Sequence, residues 1–147
     1  MVAYLDSSLV LRHILLGERR ITPAFECERT VSSELIEMEC RRVLQRCRME
    51  GDLDDQGFLV ALSRLEALLR GLDLVEMSSW IKKRAMESFP VSIKTLDALH
   101  LATALKLVER SSPDSMSVFT HDRSMNLCAR ALGFDTPLFE MKTAIME

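Results

Sequence analysis

Short apolar runs alternate along the chain with segments whose apolar residues recur at helical spacing. The apolar runs predict strands at residues 2–5, 30–32, 72–77 and 116–120, with 136–139 as a candidate fifth strand. Helical spacing, bounded by capping residues and glycines, predicts helices at 7–16, 22–28, 33–50, 54–70, 78–89, 96–110 and 123–132. The two longest helices predict a helical hairpin between the second and third strands.

The strand candidates read as apolar runs rather than as regular alternations of apolar and polar residues. Strands of this kind are buried on both faces, which is typical of a parallel sheet covered by helices. The chain has 147 residues and contains no linker or repeat, so it predicts a single domain, 1–147. The predicted fold is therefore α/β, with three α/β/α layers around a parallel sheet of four or five short strands.

Composition excludes some classes of protein. Apolar residues make up 48% and charged residues 28%, which is globular and not disordered composition. The net charge of −3 gives no basic excess of the kind that coats nucleic acid, although an acidic site can still bind phosphate through metal ions. The eight aromatic residues argue against a base-stacking platform.

The cysteines and the N-terminus indicate a cytoplasmic protein. Cys27, Cys40, Cys47 and Cys128 form no C-x-x-C pair, so we expect buried free thiols in a reducing compartment. The first apolar run lacks a basic lead and is interrupted by Asp6, which predicts neither a signal peptide nor a membrane span.

Acidic residues follow two of the predicted strands. Asp6 ends the first strand, and Asp122 lies two residues beyond Thr120, where the fourth strand ends. Ligands of open parallel sheets bind at the carboxyl ends of the strands, so these positions are candidate site residues. Each aspartate could instead be an ordinary helix N-cap.

Asp97 is a third candidate. At 100° per residue it projects from its helix with Leu101, Ala104 and Val108, which are apolar. A carboxylate on a buried face is normally paired or bound to a metal. The alternative is an acid near a helix start, favoured by the helix dipole.

The segment SSELIEMECRR offers further acids. Glu37 and Glu39 flank the predicted core stripe of their helix at equal angles on opposite sides, and helical arithmetic does not choose between them. The stripe consists of Ile36, Cys40, Val43 and Cys47. Glu34, near the helix start, is predicted to be a capping acid.

Three aspartates and one glutamate can therefore converge at one edge of the sheet. Carboxylates that lie so close repel one another unless a divalent cation neutralises them. Oxygen ligands suit Mg²⁺ or Mn²⁺, which retain water and recruit phosphate oxygens. The sequence thus predicts Mg²⁺ (or Mn²⁺) as the cofactor of an acidic site.

Four short motifs, in this order, carry a resemblance to a known family. They are YLDSS at 4–8, SELIEMECRRVL at 33–44, LDALHLATAL at 96–105 and FTHDRSMNLCARALGF at 119–134. With them the chain resembles the PIN-domain nucleases, in particular the VapC-type toxins of bacterial toxin–antitoxin pairs, over nearly its whole length.

The resemblance assigns roles to individual residues. Asp6, Asp97 and Asp122 match the family's aspartates, and the spacing S-x-L-x-x-x-E-x-x-R matches Ser33, Leu35, Glu39 and Arg42, which selects Glu39 over Glu37. The implied catalytic and metal-binding residues are Asp6, Glu39, Asp97 and Asp122. The implied supporting residues are Ser8, Thr120 and Arg42.

The function implied by the resemblance is metal-dependent hydrolysis of RNA phosphodiester bonds, without a covalent protein intermediate. The implied partners are RNA, a cognate antitoxin and a second copy of the chain in a homodimer. Two alternatives stay open: a non-catalytic interaction module of the same fold, and a nuclease directed at DNA or at a nucleic-acid structure.

Two other features point elsewhere. His100 and His121 could suggest acid–base catalysis, but no Ser/His/Asp order accompanies them. His100 is instead predicted to lie on the flank of its helix, and His121, beside Asp122, is a candidate substrate contact. A receiver domain is also α/β with clustered aspartates, but YLDSS supplies a single acid where that class carries a pair.

Overall fold

Four short strands form one parallel sheet at the centre of the molecule. A computed structural model describes residues 1–139, and residues 140–147 of the predicted domain lie outside the described residues. The strands are β1 (Val2–Leu5), β2 (Arg29–Ser33), β3 (Asp73–Val75) and β4 (Met116–Phe119). Their order is β3-β2-β1-β4, and each neighbouring pair is parallel. The predicted parallel sheet is confirmed.

Seven α-helices in the described part of the chain connect and cover these strands. They are α1 (Ser7–Leu16), α2 (Thr22–Phe25), α3 (Leu35–Met49), α4 (Asp55–Arg70), α5 (Ser79–Met86), α6 (Thr95–Leu107) and α7 (Arg123–Ala131). Helix α5 ends before the predicted Phe89 because Glu87 adopts an extended conformation and Arg84 donates to the carbonyl of Ser88. The remaining predicted helices are present with ends shifted by a few residues.

The predicted fifth strand at 136–139 is wrong. Among residues 135–139, only Asp135 pairs with β4, through an isolated parallel bridge to Ser117. The chain then turns, so that Phe139 N donates to Thr136 O. Pro137 has no N–H to donate to a ladder, so the pairing cannot continue through this segment.

Helices cover both faces of the sheet, as the apolar runs in the sequence predict. Alternate residues of β1 enter different cores: Ala3 and Leu5 pack with α1, α3 and α4, whereas Tyr4 packs with α6 and α7. All three side chains are completely buried. The molecule therefore has the predicted α/β/α layers, with β1 as a central strand.

The predicted hairpin of α3 and α4 is present between β2 and β3. Gly51 follows α3 with a φ of +84°, a left-handed conformation that glycine adopts without steric cost. Asp54 then begins α4 by accepting a hydrogen bond from the amide of Gly57 at 2.7 Å. Both helices of the hairpin pack against α1.

The sequence also predicts buried free thiols and no membrane-spanning segment. All four thiols are free, but only Cys40 and Cys128 are buried, whereas Cys27 and Cys47 are partly exposed. Within residues 1–139, none of the helices has both the length and the apolar character that a bilayer crossing requires.

Candidate functional site

Asp6 lies at the carboxyl end of β1 in a hydrogen-bond network with two hydroxyl groups, which we call the hydroxyl network. Its Oδ2 accepts hydrogen bonds from Ser8 Oγ at 2.6 Å and from Thr120 Oγ1 at 2.7 Å. Each hydroxyl has a single proton and donates it to Asp6, so their oxygens accept from the amides of His121 and Asp122. Two neighbouring strand ends, β1 and β4, are thereby joined through one carboxylate.

Asp122 lies beside this hydroxyl network and begins α7. Its Oδ1 accepts from the amide of Met125 at 2.8 Å, and Asp6 likewise caps α1 through the amide of Ser8. Both aspartates are thus helix N-caps, as the structural alternative predicts. Capping uses one oxygen of each carboxylate, so it leaves the other oxygen for another partner.

Asp97 lies in the first turn of α6 and faces the other two aspartates. Burial, together with the negative charges of Asp6 and Asp122, raises its pKa to about 6. The residues predicted to share its face, Leu101, Ala104 and Val108, are all buried. Three chain segments therefore bring their aspartates close enough to repel one another.

Glu39, and not Glu37, lies in this cluster. Glu39 Oε1 is 2.6 Å from His100 Nε2, and its Oε2 accepts from Ser7 Oγ at 3.1 Å. Glu37 instead forms an exposed ion pair with Arg41 at 2.8 Å. Neighbouring elements make this difference, since α1 and α6 cover only the side of α3 that carries Glu39.

The prediction that His100 lies on a helix flank is wrong. Its side chain is completely buried between Tyr4 and Glu39, and its Nε2 is 4.0 Å from Asp6 Oδ1. Burial alone lowers the pKa of His100, but the hydrogen bond from its ring to Glu39 and the nearby carboxylate charges raise it overall.

The sequence did carry a signal for this burial. The segment that follows Asp97 is apolar almost all round the helix, and a helix of that composition has no solvated flank. A histidine within it must be buried, and a buried imidazole requires partners.

The predicted capping role of Glu34 is wrong, whereas the supporting role of Arg42 stays a prediction. Glu34 does not cap α3; Ser33 Oγ accepts from the amide of Leu35, while the Glu34 carboxylate accepts from the amide of Met77. The helix starts too soon after β2 for Glu34 to fold back on it. Arg42 is exposed on α3, and within residues 1–139 it forms no ion pair with the four acids.

A small pocket with basic residues opens beside the aspartates. Its volume is about 140 Å³, and Thr120 and His121 form the wall nearest to Asp6. Arg20 and Arg123 also line it, and an N–H of Arg20 lies 3.3 Å from Nδ1 of the exposed His121. The positive charges of Arg20 and Arg123 thus lie next to the cluster of acidic residues.

The carboxylates fit a hard divalent cation in kind. Besides burial, the charges of Asp6 and Asp122 raise the pKa of Asp97. This indicates a concentration of negative charge that a bound cation would neutralise. No group of three acidic, histidine or cysteine side chains among the described residues has the arrangement of a complete metal site. Mg²⁺ commonly takes only one or two protein carboxylates and keeps its waters, so Asp6 and Asp97 suffice as candidate ligands.

Asp97→Asn is expected to stabilise the metal-free protein at pH 8. The folded protein raises the pKa of this carboxyl from its ordinary value to about 6, so folding takes up a proton. Stability therefore falls as pH rises from about 4 to 6, and the full cost persists above that range. Because the side chain is partly exposed to solvent, which screens its charge, we expect about 1 kcal/mol, or roughly 3 °C in Tm.

Thermal denaturation with EDTA at pH 8 and pH 4 measures this effect. The gain at pH 4 should fall to a small fraction of the gain at pH 8, because at pH 4 the wild-type carboxyl is protonated in the folded state and about half protonated in the unfolded state. Asp52→Asn, at an exposed turn, is the matched control and should change Tm at neither pH. An equal gain at both pH values would contradict the assigned electrostatic origin.

Comparison with known proteins identifies the fold. No protein-family model matches the chain, and no curated protein matches it by sequence. Two solved structures are similar in three dimensions. One is VapBC2 from Rickettsia felis bound to a DNA fragment from its promoter, with a TM-score of 0.61, 12% identity, and coverage of 92% of this chain and 96% of that one.

The second is Mycobacterium tuberculosis VapC20, a toxin that cleaves the sarcin–ricin loop. Its TM-score is 0.59 at 14% identity, and the alignment covers 90% of this chain and 95% of that one. Likeness at such low identity establishes the arrangement of helices and strands, and the two alignments span nearly the whole of each chain. The chain therefore has the α/β fold of the VapC-type PIN domain.

Proposed function

We propose that this chain is a metal-dependent endoribonuclease that hydrolyses RNA phosphodiester bonds and acts as the toxin of a toxin–antitoxin pair. The observation that carries the proposal is the convergence of Asp6, Asp97 and Asp122 beside Glu39 at the carboxyl edge of the parallel sheet. A binding module needs no such concentration of repelling charges.

The structural neighbours support the same function. VapC20 is a toxin that cleaves the sarcin–ricin loop, and it shares the fold of this chain over 90% of this chain's length. Fold alone does not specify chemistry. The acids on this chain, in the order of the family's motifs, supply the independent reason to propose it.

The residues of the site have distinct tasks. Ser8 and Thr120 hold Oδ2 of Asp6, which orients its other oxygen toward the interior of the cluster. Asp97 must be ionised to act as a ligand, and positive charge at the site favours that form. A Mg²⁺ or Mn²⁺ ion held by Asp6 and Asp97, with Asp122 and Glu39 nearby, supplies Lewis-acid chemistry at the phosphate.

Basic residues suit the approach of the substrate. Arg20 and Arg123 line the pocket beside Thr120, where they can contact phosphates that flank the scissile bond. Such contacts are independent of base identity, so they bring RNA to the acids without specifying its sequence. His121 remains a candidate substrate contact on the same wall.

The proposal includes partners and location. As in the family that the sequence resembles, we propose a cytoplasmic homodimer whose activity a cognate antitoxin blocks by covering the acidic groove. The gene upstream is a simple check, because a small protein with a DNA-binding N-terminus and an amphipathic tail is the expected antitoxin.

The test is digestion of RNA by the purified chain with Mn²⁺, with Mg²⁺ and with excess EDTA. We expect endonucleolytic products with either metal and none with EDTA. Single-stranded DNA and flap DNA are digested in parallel, and preferential cleavage of either would favour the DNA-directed alternative. A chain that binds no divalent ion and cuts no nucleic acid, yet captures a partner, would favour the interaction module.

A further inference from the structure

A buried line of hydrogen bonds joins three elements beneath the acidic cluster. The hydroxyl of Tyr4, on β1, is 2.7 Å from His100 Nδ1, and His100 Nε2, on α6, is 2.6 Å from Glu39 Oε1, on α3. The side chains of Tyr4 and His100 are completely buried. No water competes for these bonds, so the geometry of one residue constrains the next.

The chemistry of the three groups fixes the direction of the second bond. A carboxylate has no proton to give, so His100 Nε2 carries the hydrogen and donates it to Glu39. The Tyr4 hydroxyl can either donate to Nδ1 or accept from it. The Tyr4 and His100 rings also meet edge to face, with centroids 5.8 Å apart and planes at 78°, which restrains rotation of the imidazole.

Glu39 is held at its second oxygen as well. Ser7 Oγ donates to Oε2 at 3.1 Å, and only 13% of the Glu39 side chain is exposed. A glutamate has three rotatable bonds, and without these partners it would sample several orientations near Asp6. The two donors therefore select one of them.

We infer that His100, supported by Tyr4, is a positioning residue that fixes the Glu39 carboxylate in the orientation needed for RNA cleavage. The inference rests on the proposed function, because the orientation matters only if Glu39 serves the reaction. We assign His100 no contact with substrate, since its side chain is completely buried.

Filling space does not explain a histidine at this position. The helix α6 buries Leu101, Ala102 and Ala104 around it, and an aliphatic side chain would pack there without a desolvation cost. The imidazole offers what an aliphatic group lacks, namely an N–H that reaches Glu39.

The first test compares two substitutions of similar size. His100→Gln keeps an N–H near the position of Nε2, whereas His100→Met keeps volume without a donor. We expect His100→Met to lower kcat for RNA cleavage about 10- to 100-fold with KM nearly unchanged, and His100→Gln to restore most of the loss. Tyr4→Phe, which removes only the support, should lower kcat less than His100→Met does.

A packing role makes a different prediction. Both substitutions would then lower Tm and the folded fraction equally, while kcat per folded molecule stayed at the wild-type value. Equal kcat values for the Gln and Met variants, after correction for the folded fraction, would overturn the inference.

A second measurement is independent of nuclease activity. In protein labelled with ¹⁵N-histidine, the Nε2–H of His100 should give a resonance protected from exchange with water. Glu39→Gln should shift this resonance, whereas Glu37→Gln, at the exposed acid two residues away, should not. A resonance that exchanges rapidly, or one that is insensitive to Glu39→Gln, would reject the hydrogen-bonded line.

The two measurements separate the possible failures. If the wild type cleaves no RNA, the proposed function fails, and the assignment of His100 to cleavage fails with it, whatever the spectrum shows. If the wild type cleaves RNA and the spectral shift or the rescue by glutamine is absent, only the inference about His100 is overturned.

Discussion

Asp97→Asn is expected to lower Mn²⁺-dependent RNA cleavage about 10³-fold, the equivalent of roughly 4 kcal/mol in transition-state stabilisation. Asparagine has the same shape as aspartate but lacks its negative charge, so it can neither bind a hard cation strongly nor balance the ion's charge. The position of Asp97 in the first turn of α6, between Asp6 and Asp122, makes this charge central to the cluster.

The measurement is kcat/KM for a defined RNA at saturating Mn²⁺, pH 8. Asp6→Asn should give a similar loss, and Asp52→Asn, at the exposed turn after α3, should leave the rate unchanged. The increase in Tm expected for metal-free Asp97→Asn separates loss of chemistry from loss of folding. Cleavage by Asp97→Asn within about threefold of wild type would reject the assigned site.

Mn²⁺ is expected to stabilise the wild-type protein strongly at pH 8 and only about half as much at pH 5. At a concentration 100 times the Kd measured at pH 8, one bound ion adds about 2.7 kcal/mol, or roughly 5–10 °C in Tm. A carboxylate must lose its proton to bind the ion. Since the pKa of Asp97 is raised to about 6, its carboxyl is mostly protonated at pH 5.

That protonation weakens apparent binding about tenfold at pH 5, which leaves a gain of about 1.4 kcal/mol at the same Mn²⁺ concentration. Thermal denaturation across a Mn²⁺ series at both pH values measures the difference, and EDTA should reverse it. Asp97→Asn should gain little at either pH. A wild-type gain that is independent of pH would show that the ion binds elsewhere.

The sheet and the aspartates could be predicted because each leaves a local mark in the sequence. The strands contain short apolar runs, and Asp6 and Asp122 follow the ends of the first and the fourth of these runs. Parallel strands present their carboxyl ends at one edge, so the convergence of these acids follows from topology. The burial of the face that carries Asp97 followed in the same way from helical spacing.

The remaining features depend on contacts between distant segments. Glu37 and Glu39 are equivalent by helical angle, and only the positions of α1 and α6 bury one and expose the other. His100 has its partners 96 and 61 residues away in the chain, on Tyr4 and Glu39. Spacing within one helix contains no information about such partners.

The candidate fifth strand shows the opposite limit. Residues 136–139 have strand-like composition, and the preceding residue, Asp135, does begin to pair with β4. A single missing N–H at Pro137 then ends the ladder. Local composition predicted a strand at 136–139, whereas the pairing stops at Asp135.

The hydroxyl network at Asp6 also determines when the site can form during synthesis. Thr120 is made 114 residues after Asp6, so the ribosome releases the first aspartate long before its last partner. Until β4 emerges, one side of β1 is unpaired, and neither Thr120 nor Asp122 is present. Translation products that stop before β4 thus lack the assembled centre, so a cell that makes this protein meets the finished site only after β4 has been synthesised.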